Sequence, residues 1–172
     1  QQIHEVAPNN EAFKWQIGDA AATEAAFKAA PVVVKKRIIN QRLVANAMEP
    51  RACVARYDDS TGDWTLWVTS QNPHVHRLLM TAFVLGIPEH KVRVIAPDVG
   101  GGFGLKNHPW KEEVAVILAA LIFNRPLKWI EDRYENLVAA NQAREQDMLL
   151  QVAFDHDGRL IASHGDYSLN VG

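Results

Sequence analysis

The sequence predicts an α+β protein whose centre is a mixed sheet with a β-α-β-α-β succession, flanked by hairpins. Short β-branched or alternating runs at about 63–69, 91–96 and 126–130 are separated by two stretches with helical features. Further strand-like runs enclose turn sequences, which is the pattern of a hairpin. Strands that alternate with helices in this way are expected to be parallel neighbours.

The composition is that of a globular chain and excludes several classes of protein. The 172 residues are 48% hydrophobic and 22% charged, which suffices for a packed core. The net charge is −2 without a basic block, so nothing indicates nucleic-acid binding. The longest apolar run, residues 114–123, is too short to span a membrane. The single cysteine, Cys53, permits no intrachain disulfide or cysteine cluster and favours a cytoplasmic setting.

The first half of the chain is predicted to hold a lead-in, one helix and several strands. Residues 1–18 are polar and without periodicity, and are treated as a lead-in segment. Residues 19–30 are rich in alanine and begin with Asp19, which suits the helix N-cap. A β-branched strand over 32–43 follows, and then a hairpin with its turn at 59–62.

The second half of the chain is predicted to add two longer helices, a short helix and a closing hairpin. Residues 72–86 have a helical pattern that begins with Asn72 as a cap. A second helix is predicted over 110–124, with glutamates in the first turn where the helix dipole favours them. A short helix over 134–141 and a hairpin over 148–169 complete the chain.

A glycine-rich loop lies between the strand at 91–96 and the next helix. Four of the ten glycines fall within residues 100–104, at a position where backbone N–H groups can converge on an anion. A dinucleotide fingerprint would need glycine where Leu105 or Asn107 stands, and the P-loop pattern fails around Lys106. From the residues alone, a ligand-binding loop and a flexible surface loop both stay open.

The loop and four other segments resemble the molybdenum hydroxylases, the family of xanthine dehydrogenase, aldehyde oxidase and the large subunit of aerobic carbon monoxide dehydrogenase. DVGGGFGLK is similar to the GGGFGxK loop of that family. MEPRACVARYD, LWVTSQNPH, RPLKWIEDRYENL and AREQDM resemble further family segments and stand in the family's order. The resemblance extends from about Phe13 to Gly172, and the bacterial carbon monoxide dehydrogenase-like branch fits best.

The resemblance implies that residues 19–172 are part of a molybdopterin-binding domain, truncated at both ends relative to the family large subunit. The parent enzyme is expected to hydroxylate a small substrate of the carbon monoxide, aldehyde or N-heterocycle type, with water as the oxygen source. The general-base glutamate of the family is expected outside this chain, so the chain alone is expected to be inactive. A non-catalytic assembly or cofactor-delivery module stays open as the alternative.

The implied cofactor is molybdenum held by a molybdopterin, with the cytosine dinucleotide form expected in bacteria. Iron–sulfur and FAD groups on partner subunits or domains are expected to carry the electrons away. The remainder of the large subunit is a further expected partner, whereas nucleic acid and membranes are not. This region is expected to supply no direct metal ligand and to act through hydrogen bonds around the metal.

The resemblance also assigns roles to the turn before the first long helix and to the glycine loop. Gln71 matches the family glutamine that hydrogen-bonds the apical oxo or hydroxo ligand of the metal, which makes it the expected catalytic residue. The loop whose backbone amides and phenylalanine ring face the cofactor is matched by Gly101, Gly102, Phe103 and Gly104.

Less specific roles are expected for the charged and polar residues next to these segments. Asn107 stands where xanthine-type members have a glutamate that reads the purine, so it is a substrate-pocket candidate that disfavours a purine. Lys106 is expected to be solvated rather than to serve an anionic group. Surface or structural ion pairs of small individual energy are expected for Glu131, Asp132, Arg133 and Glu135.

Overall fold

The computed structural model of the chain describes residues 2–171; Gln1 and Gly172, at the outer ends of the predicted lead-in and domain, lie outside the described residues. The helices, labelled α1 to α4, are Ala20–Ala29, Pro73–Leu79, Lys111–Phe123 and Arg133–Ala139. The strands, labelled β1 to β7, are Val32–Val44, Ala52–Asp58, Asp63–Val68, Val92–Ile95, Leu127–Ile130, Gln142–Phe154 and Leu160–Leu169. These elements confirm the predicted α+β class.

The described chain divides into two compact units. One comprises residues 2–39 and 147–168 and holds α1 with most of a three-stranded sheet in the order β1-β6-β7. The other comprises residues 40–146 and 169–171 and holds a four-stranded sheet in the order β4-β3-β2-β5. All predicted site residues belong to this second unit.

The four-stranded sheet confirms part of the predicted strand succession and corrects the rest. β2 and β3 form the expected antiparallel hairpin, with Cys53 opposite Val68. β4 pairs in parallel with β3, with Trp64 opposite Val92. β5 was expected as a parallel neighbour, but it pairs antiparallel with β2 instead. Both edges of β3 are occupied, by β2 and by β4, and of the two outer edges that remain β5 joins that of β2 rather than that of β4.

Side-chain caps set the beginnings of the first two helices at the predicted residues. The carboxylate of Asp19 accepts a hydrogen bond from the Ala22 amide at 2.9 Å. The side-chain oxygen of Asn72 accepts one from the Val75 amide at 3.4 Å. The helix that starts at Asn72 changes to a π-helical turn over Met80–Leu85, so the predicted helix is present but not uniform.

The core of the second unit lies against the four-stranded sheet and includes residues of α3 and of the turn that follows α2. Alternate residues of β3 point into it, as the sequence pattern requires. Its buried members are Cys53, Ala55, Trp64, Leu66, Val68, Met80, Val92, Ile117 and Ala120. Burial and then the nearby Glu113 carboxylate raise the pKa of the Cys53 thiol to about 12, so this cysteine is no nucleophile at neutral pH.

None of the helices found between residues 2 and 171 has the length and apolar character needed to traverse a lipid bilayer.

Candidate functional site

Gln71 lies in the turn between β3 and α2. The Ser70 hydroxyl oxygen closes this turn because it accepts a hydrogen bond from the Asn72 amide at 2.9 Å. The Gln71 amide donates to the carbonyl oxygen of Lys106 at 2.9 Å. This backbone bond joins the turn to the end of the glycine loop. The structure therefore brings together the two segments that the sequence assigns to the site.

The carboxamide of Gln71 is held by the same loop. Its Oε1 atom accepts hydrogen bonds from the amides of Gly104, at 2.9 Å, and Lys106, at 3.2 Å. Two N–H donors require the carbonyl oxygen of the carboxamide, so they determine which end of the group faces the loop. The NH2 end donates to no group in the described part of the chain. Gln71 therefore offers a ligand a hydrogen-bond donor.

The glycine loop passes directly against the Gln71 side chain. A Cβ atom on Gly102 would overlap the Gln71 carboxamide, so the approach requires glycine here. Gly101 has a φ of +96°, which residues with a side chain rarely adopt. Close packing and backbone geometry thus account for these glycines, which favours a structured loop over a flexible one.

Phe103 holds a large apolar ring at the surface of the loop. Its φ is +53°, in the left-handed region that bulky residues avoid. Its side chain is 58% exposed, and the ring edge lies 3.1 Å from where a Cβ on Gly101 would stand. A strained backbone and an exposed ring are features that accumulate at ligand-binding sites.

Three consecutive backbone amides in the middle of the loop have no acceptor among the described residues. The amides of Gly100 and Gly104 donate to side chains at the two ends of the loop. Those of residues 101–103 donate to no group within residues 2–171. Gly102 is nevertheless buried, and buried backbone donors are almost always paired in proteins. The loop therefore has donors available for a ligand.

Lys106 is buried, so the expectation of a solvated lysine is wrong. Its Nζ donates to the Glu49 carboxylate at 2.6 Å and to the Glu49 carbonyl oxygen at 2.8 Å. The same carboxylate accepts a hydrogen bond from the Gly100 amide at 2.9 Å. Burial favours a raised pKa for Glu49, but Lys106 and Gly100 outweigh it and leave the pKa below its usual value. The local sequence gives no sign of this burial, because Glu49 lies 57 residues from Lys106 along the chain.

Glu131 is likewise a buried member of the cluster that was expected to form weak ion pairs. It accepts hydrogen bonds from the Arg51 Nε at 3.0 Å and the Arg51 amide at 2.9 Å. The side chains of Arg51 and Glu131 are 1% and 0% exposed, so this pair is a structural one and not a surface one, and its energy stays a prediction. Asp132 and Glu135 form no ion pair in the described residues; each carboxylate instead accepts a hydrogen bond from the backbone amide of the other, at 2.7 and 2.9 Å, and the two cap α4.

Asn107, the predicted substrate-pocket residue, follows the loop with an exposed side chain. Its side chain contacts no polar partner in the described part of the chain, and its role stays a prediction. The end of the loop is anchored by Trp110, whose indole donates to the Leu105 carbonyl oxygen at 2.7 Å. Within residues 2–171 no group of three or more His, Cys, Asp or Glu side chains is placed to hold a metal ion.

Two further residues support the site without having been singled out by the sequence. Glu49 contacts both ends of the glycine loop, and Arg51 lies two residues further on in the same MEPR segment. The available signal was the position of two charged residues directly before a buried strand, where solvated side chains are not expected. Their partners, however, lie 57 and 80 residues away along the chain.

Comparison with known proteins identifies the family of this fold. Residues 3–172 match the sequence profile of the molybdopterin cofactor-binding domain. The chain belongs to this family. It is 41% identical over 154 residues to the carbon monoxide dehydrogenase large chain of Afipia carboxidovorans, a match that covers 90% of this chain and 19% of that protein.

Two other comparisons agree with membership of the molybdopterin cofactor-binding domain family. The nicotine 6-hydroxylase large subunit of Paenarthrobacter nicotinovorans is 41% identical over 135 residues, which cover 78% of this chain and 16% of that protein. The structure of carbon monoxide dehydrogenase from Oligotropha carboxidovorans matches with a TM-score of 0.70 and 40% identity, covering 89% of this chain and 19% of that one. The chain thus spans about a fifth of the length of the carbon monoxide dehydrogenase large chains it matches.

These matches confirm the resemblance to molybdenum hydroxylases of the carbon monoxide dehydrogenase type that the five motif segments indicated. The structure adds that two of those segments bond to a third, the glycine loop. Glu49 of MEPR bonds to the glycine loop, and Gln71 of the TSQN turn bonds to Gly104 and Lys106 of the same loop.

The residues of the site fit a molybdopterin cofactor. Such a group presents oxygen and phosphate acceptors, which require N–H donors from the protein. The chain offers donors of this kind in the NH2 end of Gln71 and in the amides of residues 101–103. A glycine loop with open amides after a strand is an established form of anion site. The donor set therefore agrees with the family.

Proposed function

We propose that this chain forms one wall of the molybdenum site in the large subunit of a bacterial molybdenum hydroxylase. The observation that carries the proposal is the orientation of Gln71, whose oxygen is bound by the amides of Gly104 and Lys106 while its NH2 group is left as a donor. A donor held in a fixed direction by a rigid loop suits an electron-rich oxygen of the cofactor.

The remaining roles divide between backbone and side chain. Gly101, Gly102, Phe103 and Gly104 form the cofactor-facing loop, in which the open amides of residues 101–103 bind acceptors. The exposed ring of Phe103 shields that side of the site from water. When bound, the molybdopterin supplies a metal centre that accepts two electrons from the substrate. The chain's own residues orient this group and supply no direct metal ligand.

The reaction of the complete protein is proposed as the oxidative hydroxylation of a small substrate, with water as the oxygen source. Carbon monoxide, an aldehyde and an N-heterocycle are the candidate classes, and the names of the relatives include a carbon monoxide dehydrogenase and a nicotine 6-hydroxylase. Asn107 is proposed to border the substrate pocket, where an amide in place of the glutamate of xanthine-type members disfavours purines.

The partners follow from the same proposal. The remainder of the large subunit supplies the general-base glutamate and completes the cofactor pocket, so this chain by itself is inactive. Iron–sulfur and flavin subunits or domains receive the electrons. The cofactor is proposed to be the cytosine dinucleotide form of molybdopterin, and the complete enzyme to work in the cytoplasm.

The test changes Gln71 in the full-length protein purified from its native host. Gln71→Glu retains an oxygen that accepts from Gly104 and Lys106 but replaces the donor with a second acceptor. We expect turnover of the best substrate from a panel of carbon monoxide, aldehydes and N-heterocycles to fall by about 10² or more, with normal molybdenum and pterin content. Gln41→Glu, the same change at an exposed glutamine on β1, is the matched control.

Two outcomes would contradict the proposal. Full turnover in Gln71→Glu with normal molybdenum content would remove Gln71 from the catalytic role. A native full-length protein without molybdenum and pterin would instead support the non-catalytic assembly or delivery module.

A further inference from the structure

The glycine loop is fastened at both ends by the ion pair of Glu49 and Lys106, which is named the clasp. The Lys106 side chain is buried, and that of Glu49 is 34% exposed. Glu49 accepts hydrogen bonds from the Gly100 amide at 2.9 Å and from Lys106 Nζ at 2.6 Å. Lys106 Nζ also donates to the Glu49 carbonyl oxygen at 2.8 Å, and the Glu49 amide donates to the Gly100 carbonyl oxygen at 3.3 Å. Glu49 thus bonds to both the first and the last residue of the segment 100–106.

Lys106 serves the clasp and the site with different atoms. Its Nζ is committed to Glu49, and its side chain is completely buried. Its backbone N–H donates to the Gln71 Oε1, and its carbonyl oxygen accepts from the Gln71 amide. A displacement of the Lys106 side chain would therefore move two of the three hydrogen bonds that hold Gln71.

Contact at the other end of the loop is equally close. A Cβ atom on Gly100 would lie 2.6 Å from the Glu49 Cβ, so the loop backbone packs directly on this side chain. The carboxylate bonds to the amide at that point, and hydrogen bonds to a charged acceptor are stronger than neutral ones. The amides of residues 101–103 follow immediately, so the position and conformation of Gly100 determine where these amides lie.

We propose that Glu49 and Lys106 are positioning residues that fix the glycine loop and, through it, the direction of the Gln71 carboxamide. The proposal rests on the function proposed above for Gln71, but the clasp itself is a property of this chain. Neither residue needs to touch the cofactor. Lys106 in particular does not bind an anionic group of a ligand, because its ammonium is buried on Glu49.

The test measures local opening of the loop in the full-length protein by hydrogen–deuterium exchange with mass spectrometry. Glu49→Gln keeps the shape and removes the charge, and Lys106→Met removes the ammonium while keeping an apolar stem in the buried position. We expect exchange in peptides covering residues 100–106 to accelerate at least about tenfold in both variants, because charged hydrogen bonds are lost. Exchange in β3 should stay unchanged.

A matched control is the exposed ion pair of Arg77 and Glu89, which has a similar separation of 3.0 Å but side chains that are 40% and 46% exposed. Glu89→Gln should leave exchange in the loop unaffected. Should Lys106→Met fail to fold, Glu49→Gln decides the test because its side chain is the same size as glutamate.

Two results overturn the clasp: unchanged exchange in residues 100–106, or equal acceleration in β3, which would show a role in global stability only. These results are independent of molybdenum content and of turnover. A protein that lacks the cofactor, or a Gln71→Glu variant with full activity, would therefore refute the proposed function and leave the exchange experiment to decide the clasp.

Discussion

Arg51 and Glu131 form a buried ion pair that ties the segment before β2 to the residue that follows β5. The guanidinium Nε and the backbone amide of Arg51 donate to the two carboxylate oxygens of Glu131 at 3.0 and 2.9 Å. The Asn136 side chain adds a hydrogen bond at 2.8 Å. The guanidinium also lies 4.2 Å from the ring centre of Trp110. Both charges therefore lie in a dry environment where their partners satisfy them.

Removal of one member of this pair should destabilise the fold strongly. Arg51→Met leaves the Glu131 carboxylate buried without its counter-ion, and the expected loss is about 3–5 kcal/mol of unfolding free energy. Urea unfolding followed by tryptophan fluorescence measures it. Glu89→Gln, which breaks an exposed pair, should change stability by less than about 1 kcal/mol. Losses of equal size in the two variants would show that burial of the Arg51 pair has no energetic consequence.

Acid should weaken the fold partly through Glu131. Burial by itself would raise the pKa of this carboxyl, but hydrogen bonds from Arg51 and then Asn136 outweigh burial and lower the pKa. A lowered folded-state pKa gives stability that is fully present above the unfolded value of about 4.3 and is lost as the pH falls through the folded value.

The stability difference between the wild-type chain and Glu131→Gln checks this sign. It should be constant between about pH 6 and pH 7 and should shrink below about pH 4.3, because the glutamine cannot take up the proton. The measurement is urea unfolding at a series of pH values. A difference that grows on acidification would reverse the assigned direction of the pKa shift.

Gly102→Ala tests the contact between the glycine loop and Gln71. The new methyl group would occupy the space of the Gln71 carboxamide and force it away from the amides of Gly104 and Lys106. In a Gln71→Ala background that space is open, so the same substitution should have little effect. The double-mutant cycle should therefore give a coupling energy of about 1–3 kcal/mol in urea unfolding. Additive losses would mean that the two residues do not meet.

The sequence predicted most of the helices and the hairpins, because these depend on local periodicity, caps and turns, whereas the two site segments came from the family resemblance. Asp19 and Asn72 cap helices as expected, since a cap acts within three residues. The edge that β5 joins was not predictable in this way, because it depends on which strand edges remain open.

The long-range ion pairs could not be predicted from the sequence pattern either. Lys106 resembles any lysine after a loop until the fold places Glu49 beside it, and Glu131 resembles a helix-start acid until Arg51 covers it. Gln71 was assigned by resemblance alone. The orientation of its carboxamide follows only from the structure, in which two backbone amides bind its oxygen.

Ser70→Ala should test how firmly the turn that carries Gln71 is anchored. The Ser70 hydroxyl lies 2.9 Å from the imidazole Nδ1 of His76 and accepts from the Asn72 amide at 2.9 Å. The imidazole is fully buried, and its Nε2 lies 3.3 Å from the Glu113 carboxylate. Loss of the hydroxyl leaves the Asn72 amide without its acceptor and the buried ring nitrogen with only the Asn72 carbonyl oxygen, at 3.3 Å. The expected loss of stability is about 1–3 kcal/mol.

Amide exchange at residues 70–72 supplies the local measurement for this variant, alongside urea unfolding. Exchange there should accelerate together with the loss of stability, because the hydroxyl closes the turn that positions Gln71. Ser60→Ala is the matched control: its hydroxyl also bonds, to Asp58 at 2.6 Å, but in an exposed turn where water can replace it. A loss in Ser60→Ala as large as that in Ser70→Ala would contradict the special role of the buried hydroxyl.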